Sequence, residues 1–157
     1  MIRKARMSDV KTIQNLIGEY ARKGDMLPRS LSDIYENLRD YFVFENEAGE
    51  LIGSAAIHIM WADLAEVRSL AVREGEMRRG IGTKLVEACI SEAIVLGITR
   101  IFALTYRPDF FKRIGFREVD KSELPHKIWS DCLKCAKFPD CDEVALVADF
   151  SGSPRVG

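Results

Sequence analysis

A strand that runs into a glycine-bearing turn and then into a long helix constrains this chain more than any other feature. Ala65 to Val72 is an apolar-rich run that predicts a strand, and Arg73 to Gly82 is a polar loop holding three glycines. Lys84 to Leu96 follows as a helix, with Leu85, Val86, Cys89, Ile90 and Ala93 on one face and Gly97 closing it. Ile101 to Thr105 is then a short apolar strand. A strand–helix–strand unit of this kind closes with a right-handed crossover, so its two strands should lie parallel.

The remaining segments read differently. Ser8-Asp9 starts a helix whose Val10, Ile13, Leu16, Ile17 and Tyr20 share a face, and Gly24 ends it. A second short helix centres on Ile34, Tyr35 and Leu38. Phe42-Val43-Phe44 and Leu51 to Ile59 form a hairpin around Asn46-Glu47-Ala48-Gly49, and Trp61-Ala62-Asp63 connects onward. Asp109 to Arg113 makes a short helix, Gly115 to Val119 a strand, and Glu143 to Phe150 a last strand. The expected fold class is therefore α/β (α+β), with a mixed, mostly antiparallel sheet flanked by helices. One domain should span 1–150, with 151–157 as a flexible tail.

Charge narrows the partners. Lys and Arg number 23 against 24 for Asp and Glu, a formal net charge of -1. Nucleic-acid binding would need a basic face to displace counterions, and none is implied. No apolar run reaches the roughly 18–20 residues that cross a bilayer. The start, Met1 to Met7, carries positive charge but no apolar segment behind it, so a cytoplasmic location is expected.

Gly80 and Gly82 sit where the loop enters the helix. Glycine lets a ligand approach the backbone closely, and the N–H groups of a helix's first turn converge there with the positive end of its dipole. That geometry suits a diphosphate, with Arg78, Arg79 and Lys84 as countercharge. Alone, the same two glycines would also serve a tight connection between strand and helix. They form neither a Walker loop nor a full dinucleotide fingerprint.

The run Ser69-Leu70-Ala71-Val72, followed by Arg79-Gly80-Ile81-Gly82 and then Leu85, resembles motif A of the GCN5-related N-acetyltransferases. Phe110-Phe111-Lys112-Arg113-Ile114-Gly115-Phe116 is similar to that family's motif B. The resemblance implies a GNAT-like fold that binds acetyl-coenzyme A. Cofactor contacts would come from Leu70, Ala71, Val72, Met77, Arg78, Arg79, Gly80, Ile81, Gly82, Thr83 and Phe111. Two residues depart from the family pattern. Met77 stands where Gln or Arg is usual, and Phe111 where many relatives place a tyrosine that protonates the leaving thiolate.

Within the family the chain looks most like the N-acetylglutamate synthases. Leu27-Pro28-Arg29-Ser30, Gly53-Ser54-Ala55-Ala56, Trp61 to Glu66 and Leu104-Thr105-Tyr106-Arg107 carry that likeness. Glutamate has two carboxylates, and guanidinium forks hold carboxylates well. Arg29, Arg68, Ser69 and Arg107 are accordingly the expected substrate contacts. Glu66 matches the position of the synthases' base, and His58 and Asp63 stand in reserve. Backbone N–H groups near Leu70 to Val72 would stabilise charge on the carbonyl oxygen. Direct attack fits better than an acyl-enzyme route, because Cys89 reads as a core residue.

Cys132, Cys135 and Cys141, with His126 upstream, remain. Cys-x2-Cys is a zinc spacing, but no second pair accompanies it, so free thiols are expected and no metal. A disulfide formed in air is the other alternative. The expected partners are a small amino acid and a second copy in a homodimer. Two competing readings are acetylation of another small amine or amino acid, and a non-catalytic module that binds coenzyme A.

Overall fold

The computed structural model describes residues 1–77, 79–125 and 143–150. Its strands are β1 (Ile2–Lys4), β2 (Tyr41–Glu45), β3 (Leu51–Trp61), β4 (Leu64–Val72), β5 (Arg100–Thr105), β6 (Arg117–Val119) and β7 (Val144–Asp149). Its α-helices are α1 (Val10–Arg22), α2 (Leu31–Glu36), α3 (Ile81–Val95) and α4 (Pro108–Ile114). The strands hydrogen-bond in the order β1-β2-β3-β4-β5-β7-β6. β4 and β5 are parallel, as the crossover requires, while β1–β2, β2–β3, β5–β7 and β6–β7 are antiparallel. This is the mixed, mostly antiparallel α/β sheet that the sequence predicts. No helix among the described residues is long and apolar enough to cross a membrane.

The described chain packs as two units. The first holds Met1–His58 and Val67–Glu92. There the apolar stripe of α1 (Val10, Ile13, Ile17) meets Ile34 of α2 and Tyr41, Val43 and Ala56 of the sheet, all buried. Ser30 caps α2 by accepting from the Asp33 N–H at 3.0 Å. Gly53 lets α3 settle on β3, since a Cβ there would lie 3.0 Å from Leu85 Cδ1 and 3.2 Å from Ile81 Cγ2. Burial pushes the Cys89 thiol up to about 12, so it is a core group and no nucleophile at neutral pH.

The second unit holds Ile59–Glu66 and the chain from Ala93 onward. Its core gathers Met60, Leu64, Phe102, Val119, Leu124, Ala145 and Val147. Gly115 closes α4 with φ 117, a left-handed cap that glycine adopts without a Cβ clash.

The start of α3 and the presence of β1 differ from expectation, and β3 runs on to Trp61. α3 starts at Ile81, because the Lys84 N–H already bonds the Gly80 carbonyl at 3.0 Å and the Ile81 side chain is buried. β1 was not anticipated, since Ile2-Arg3-Lys4 shows no apolar alternation. It pairs with β2, and Arg3 reaches Asp9 at 2.8 and 3.1 Å and Glu45 at 3.1 Å. Arg3 holds the Asp9 carboxyl below the usual carboxylate range, while burial opposes this. A depressed folded-state pKa adds stability above the unfolded value, about 4, and that stability is lost as pH falls through the folded value. Asp9→Asn should therefore cost on the order of 3 kcal/mol at pH 7. Denaturant melts should show the gap between variant and parent closing towards pH 2; a gap independent of pH would contradict the assignment.

Candidate active site

The glycine loop lies within the first unit. Gly80 has φ 75 and Gly75 φ 90, both left-handed conformations that favour glycine. Because the first α3 bond is Lys84 N–H to Gly80 carbonyl, the N–H groups of Ile81, Gly82 and Thr83 precede any intrahelical acceptor. A Cβ built at Gly80 would meet no atom within 4 Å, so the backbone is open to approach there. Donor set, dipole and open access fit a diphosphate group such as that of coenzyme A. The side chains of Ile81, Ala71 and Val72 are buried, so these three can reach a ligand only through backbone.

Ion pairs hold the rest of the loop. Arg73 reaches Glu76 at 3.4 Å and Glu50 at 3.6 Å, and its N–H donates to the Ile52 carbonyl at 2.7 Å. Arg79 Nη1 lies 3.4 Å from Glu76 Oε2, a buried oxygen that has an ion pair but no hydrogen bond. Arg79 thus has an internal partner besides any phosphate. Arg78 lies outside the described residues, as do His126, Cys132, Cys135, Cys141 and the 151–157 tail.

The first unit also brings three sequence-predicted substrate contacts together around a residue the sequence reading missed. Ser69 is the only non-glycine residue with positive φ among the described residues, at 58 within β4. Such a conformation costs about 1–2 kcal/mol and interrupts the in–out alternation of the strand. The Tyr41 phenol, 3% exposed as a residue, donates to Ser69 Oγ at 3.4 Å, and the buried Ser54 hydroxyl donates to the Ser69 carbonyl at 3.5 Å. Burial raises the Tyr41 pKa, Ser69 together with the charges of Arg29 and Arg68 opposes the rise, and Asp33 adds to it. Arg29, Arg68 and Ser69 therefore share one neighbourhood with a phenol that stays protonated at neutral pH. Arg29 is not unopposed there: Asp33 Oδ2 lies 3.1 Å from its Nη1. Aromatic character and strand position concealed Tyr41, because a tyrosine at an inward strand position reads as core.

Both reserve bases have structural work. His58 Nδ1 sits 2.6 Å from Asp40 Oδ2. Asp63 accepts the Thr99 N–H at 2.5 Å and its hydroxyl at 2.7 Å, bonds that hold its carboxyl below the usual range. A carboxylate so stabilised is a poor proton acceptor.

Glu66, in the second unit, is half-buried and stands opposite Phe102 of β5 in the parallel register. Arg107, also there, is the exposed N-cap of α4. Phe111 is buried, with its ring edge-to-face against Phe110 and Phe116 at 5.1 and 5.2 Å. Its observed role is packing. Among the described residues no group of three or more His, Cys, Asp or Glu could hold a metal ion.

Comparison with known proteins adds three relatives and a family. The chain is 42% identical over 146 residues to an uncharacterized N-acetyltransferase of Chlorobaculum tepidum, covering 93% of this chain and 94% of the relative. It is 33% identical over 136 residues to an amino-acid acetyltransferase of Mycobacterium tuberculosis, covering 85% and 78%. Its fold matches an N-acetylglutamate synthase from Neisseria gonorrhoeae complexed with coenzyme A and N-acetyl-glutamate, with a TM-score of 0.86 and 28% identity. That match covers 96% of this chain and 35% of the synthase chain. The family model for the acetyltransferase (GNAT) family matches residues 10–116, from the start of α1 through the Gly115-Phe116 turn. The chain belongs to the GNAT acetyltransferase family.

Proposed function

We propose that this acetyltransferase moves an acetyl group from acetyl-coenzyme A to the α-amino group of L-glutamate, the first step of arginine biosynthesis, in the cytoplasm. The observation that carries the assignment is the contact of the buried Tyr41 hydroxyl with Ser69 at 3.4 Å, within the electrostatic reach of the Arg29 and Arg68 charges. Two guanidiniums and two hydroxyls suit an anionic, carboxylate-bearing acceptor and repel a polyamine. An amino-acid acetyltransferase and an N-acetylglutamate synthase among the relatives support the same substrate class.

Coenzyme A supplies the acetyl group as an activated thioester. The N–H groups of Ile81, Gly82 and Thr83, with Arg78 and Arg79, would hold its diphosphate, and the backbone of Leu70 to Val72 would contact the rest of the molecule. Arg29, Arg68 and Arg107 take the acceptor's carboxylates. Glu66 would remove the proton from the acceptor's ammonium. The free amine would then attack the thioester carbonyl, forming the C–N bond as the C–S bond breaks. Coenzyme A would leave as a thiolate that takes a proton from solvent, since Phe111 has none to give.

Thiol release from acetyl-coenzyme A across a panel of amino acids and simple amines tests this. Turnover with glutamate supports the proposal; turnover only with another amine, or binding without turnover, sinks it. Arg29→Ala should raise the Michaelis constant for the acceptor by about 10–100-fold, the loss of a charge-assisted carboxylate contact, and leave the coenzyme constant within about twofold. Equal loss of both would mark Arg29 as a support of α2 through its Asp33 pair.

A further inference from the structure

We propose that Tyr20 is a positioning residue for the coenzyme, fixing the diphosphate-binding bend from behind through its hydroxyl. Tyr20 lies near the C-terminal end of α1, and its hydroxyl donates to the carbonyl of Val72, the last residue of β4, at 2.5 Å. The same oxygen lies 3.5 Å from Met77 Sδ. A phenol has one proton, and the shorter distance gives it to Val72; the thioether, a weak acceptor, packs against the oxygen. One side chain therefore grips the loop at its entry from β4 and again shortly before Gly80.

Other contacts show why this hydroxyl matters more than its neighbours. Lys23 reaches Glu74 at 3.6 Å, but both side chains are exposed, at 56% and 79%, and such pairs contribute little. The Arg73–Glu76–Arg79 pairs tie the loop to itself, and the Arg73–Glu50 pair at 3.6 Å is solvent-exposed and contributes little. Two hydrogen bonds bind its entry to regular structure: the Arg73 N–H on the Ile52 carbonyl, and Tyr20 on Val72. α1 also holds the acceptor side, since Gln14 Nε2 donates to the Arg29 carbonyl at 3.3 Å. A bend already in place binds a diphosphate more tightly than one that must be ordered by it.

The proposal rests on the bend at Gly80 binding coenzyme A, and not on which amine is acetylated. Its test is the dissociation constant for coenzyme A, titrated without acceptor, in the parent, in Tyr20→Phe and in Lys23→Ala. Tyr20→Phe should weaken binding about five- to tenfold, with turnover at saturating acetyl-coenzyme A unchanged within about twofold. Lys23→Ala should bind within about twofold of the parent. Hydrogen exchange gives a second readout: the Arg73 and Glu76 amides should exchange faster in Tyr20→Phe, and those of β5 and β7 should not. Undiminished affinity in Tyr20→Phe, an equal loss in Lys23→Ala, or loss of protection throughout the molecule would each overturn the proposal. A parent protein that fails to bind coenzyme A would instead sink the assignment of the bend.

Discussion

Glu66→Gln should lower turnover by about 10²–10⁴-fold while leaving coenzyme affinity unchanged, the range expected when one general base is removed. The acceptor amine arrives as ammonium and has no lone pair to give until it loses a proton. Three other candidate proton acceptors are accounted for. His58 is engaged by Asp40 at 2.6 Å, Asp63 is tied to Thr99, and Cys89 is a buried thiol. Glutamine keeps the size and hydrogen-bonding reach of glutamate but cannot take the proton, so packing around β4 should survive. The residual rate of the variant should then climb with pH, because solvent alone must supply free amine. A neutral-pH rate equal to the parent's would remove Glu66 from this role, and a lost melting transition would make it a structural residue.

The parts of the molecule readable from the chain are those in which one periodicity governs. The βαβ unit from β4 through α3 to β5 announced itself because apolar runs, glycines and a helical face occur in sequence order, and β4 and β5 are parallel as a right-handed crossover demands. The glycine bend before α3 was legible for the same reason, since a glycine at φ 75 before a helix is a local device. β1 escaped because its pairing depends on Asp9 and Glu45, which satisfy Arg3 from other segments. Tyr41 escaped because its meaning is not local either. An inward-facing aromatic is ordinary core until the left-handed Ser69, in another strand, puts a hydroxyl beside it. The place of β7 between β5 and β6 is likewise a pairing across a long separation, which no local pattern announces.

The larger effect on the donor side should come from Gly80→Val, which should weaken coenzyme A binding by about 10²-fold or more. Gly80 stands at φ 75, where a β-branched residue is strained by about 1–2 kcal/mol. Its Cβ position meets no atom within 4 Å, so the added side chain would clash with nothing in the fold. It would fill open space beside the backbone that precedes the first-turn N–H groups of α3. The cost to folding is thus bounded by backbone strain, whereas the cost to binding includes several charge-assisted hydrogen bonds lost together, each about 1.5–3 kcal/mol. Gly53→Val is the contrasting case. Its Cβ would crowd Leu85 and Ile81 at 3.0 and 3.2 Å, so the fold itself should suffer through the seat of α3. Calorimetric titration paired with thermal melts separates the two. Gly80→Val should lose affinity out of proportion to its melting temperature, and a variant that melts early yet binds normally would mean that the diphosphate does not sit on this bend.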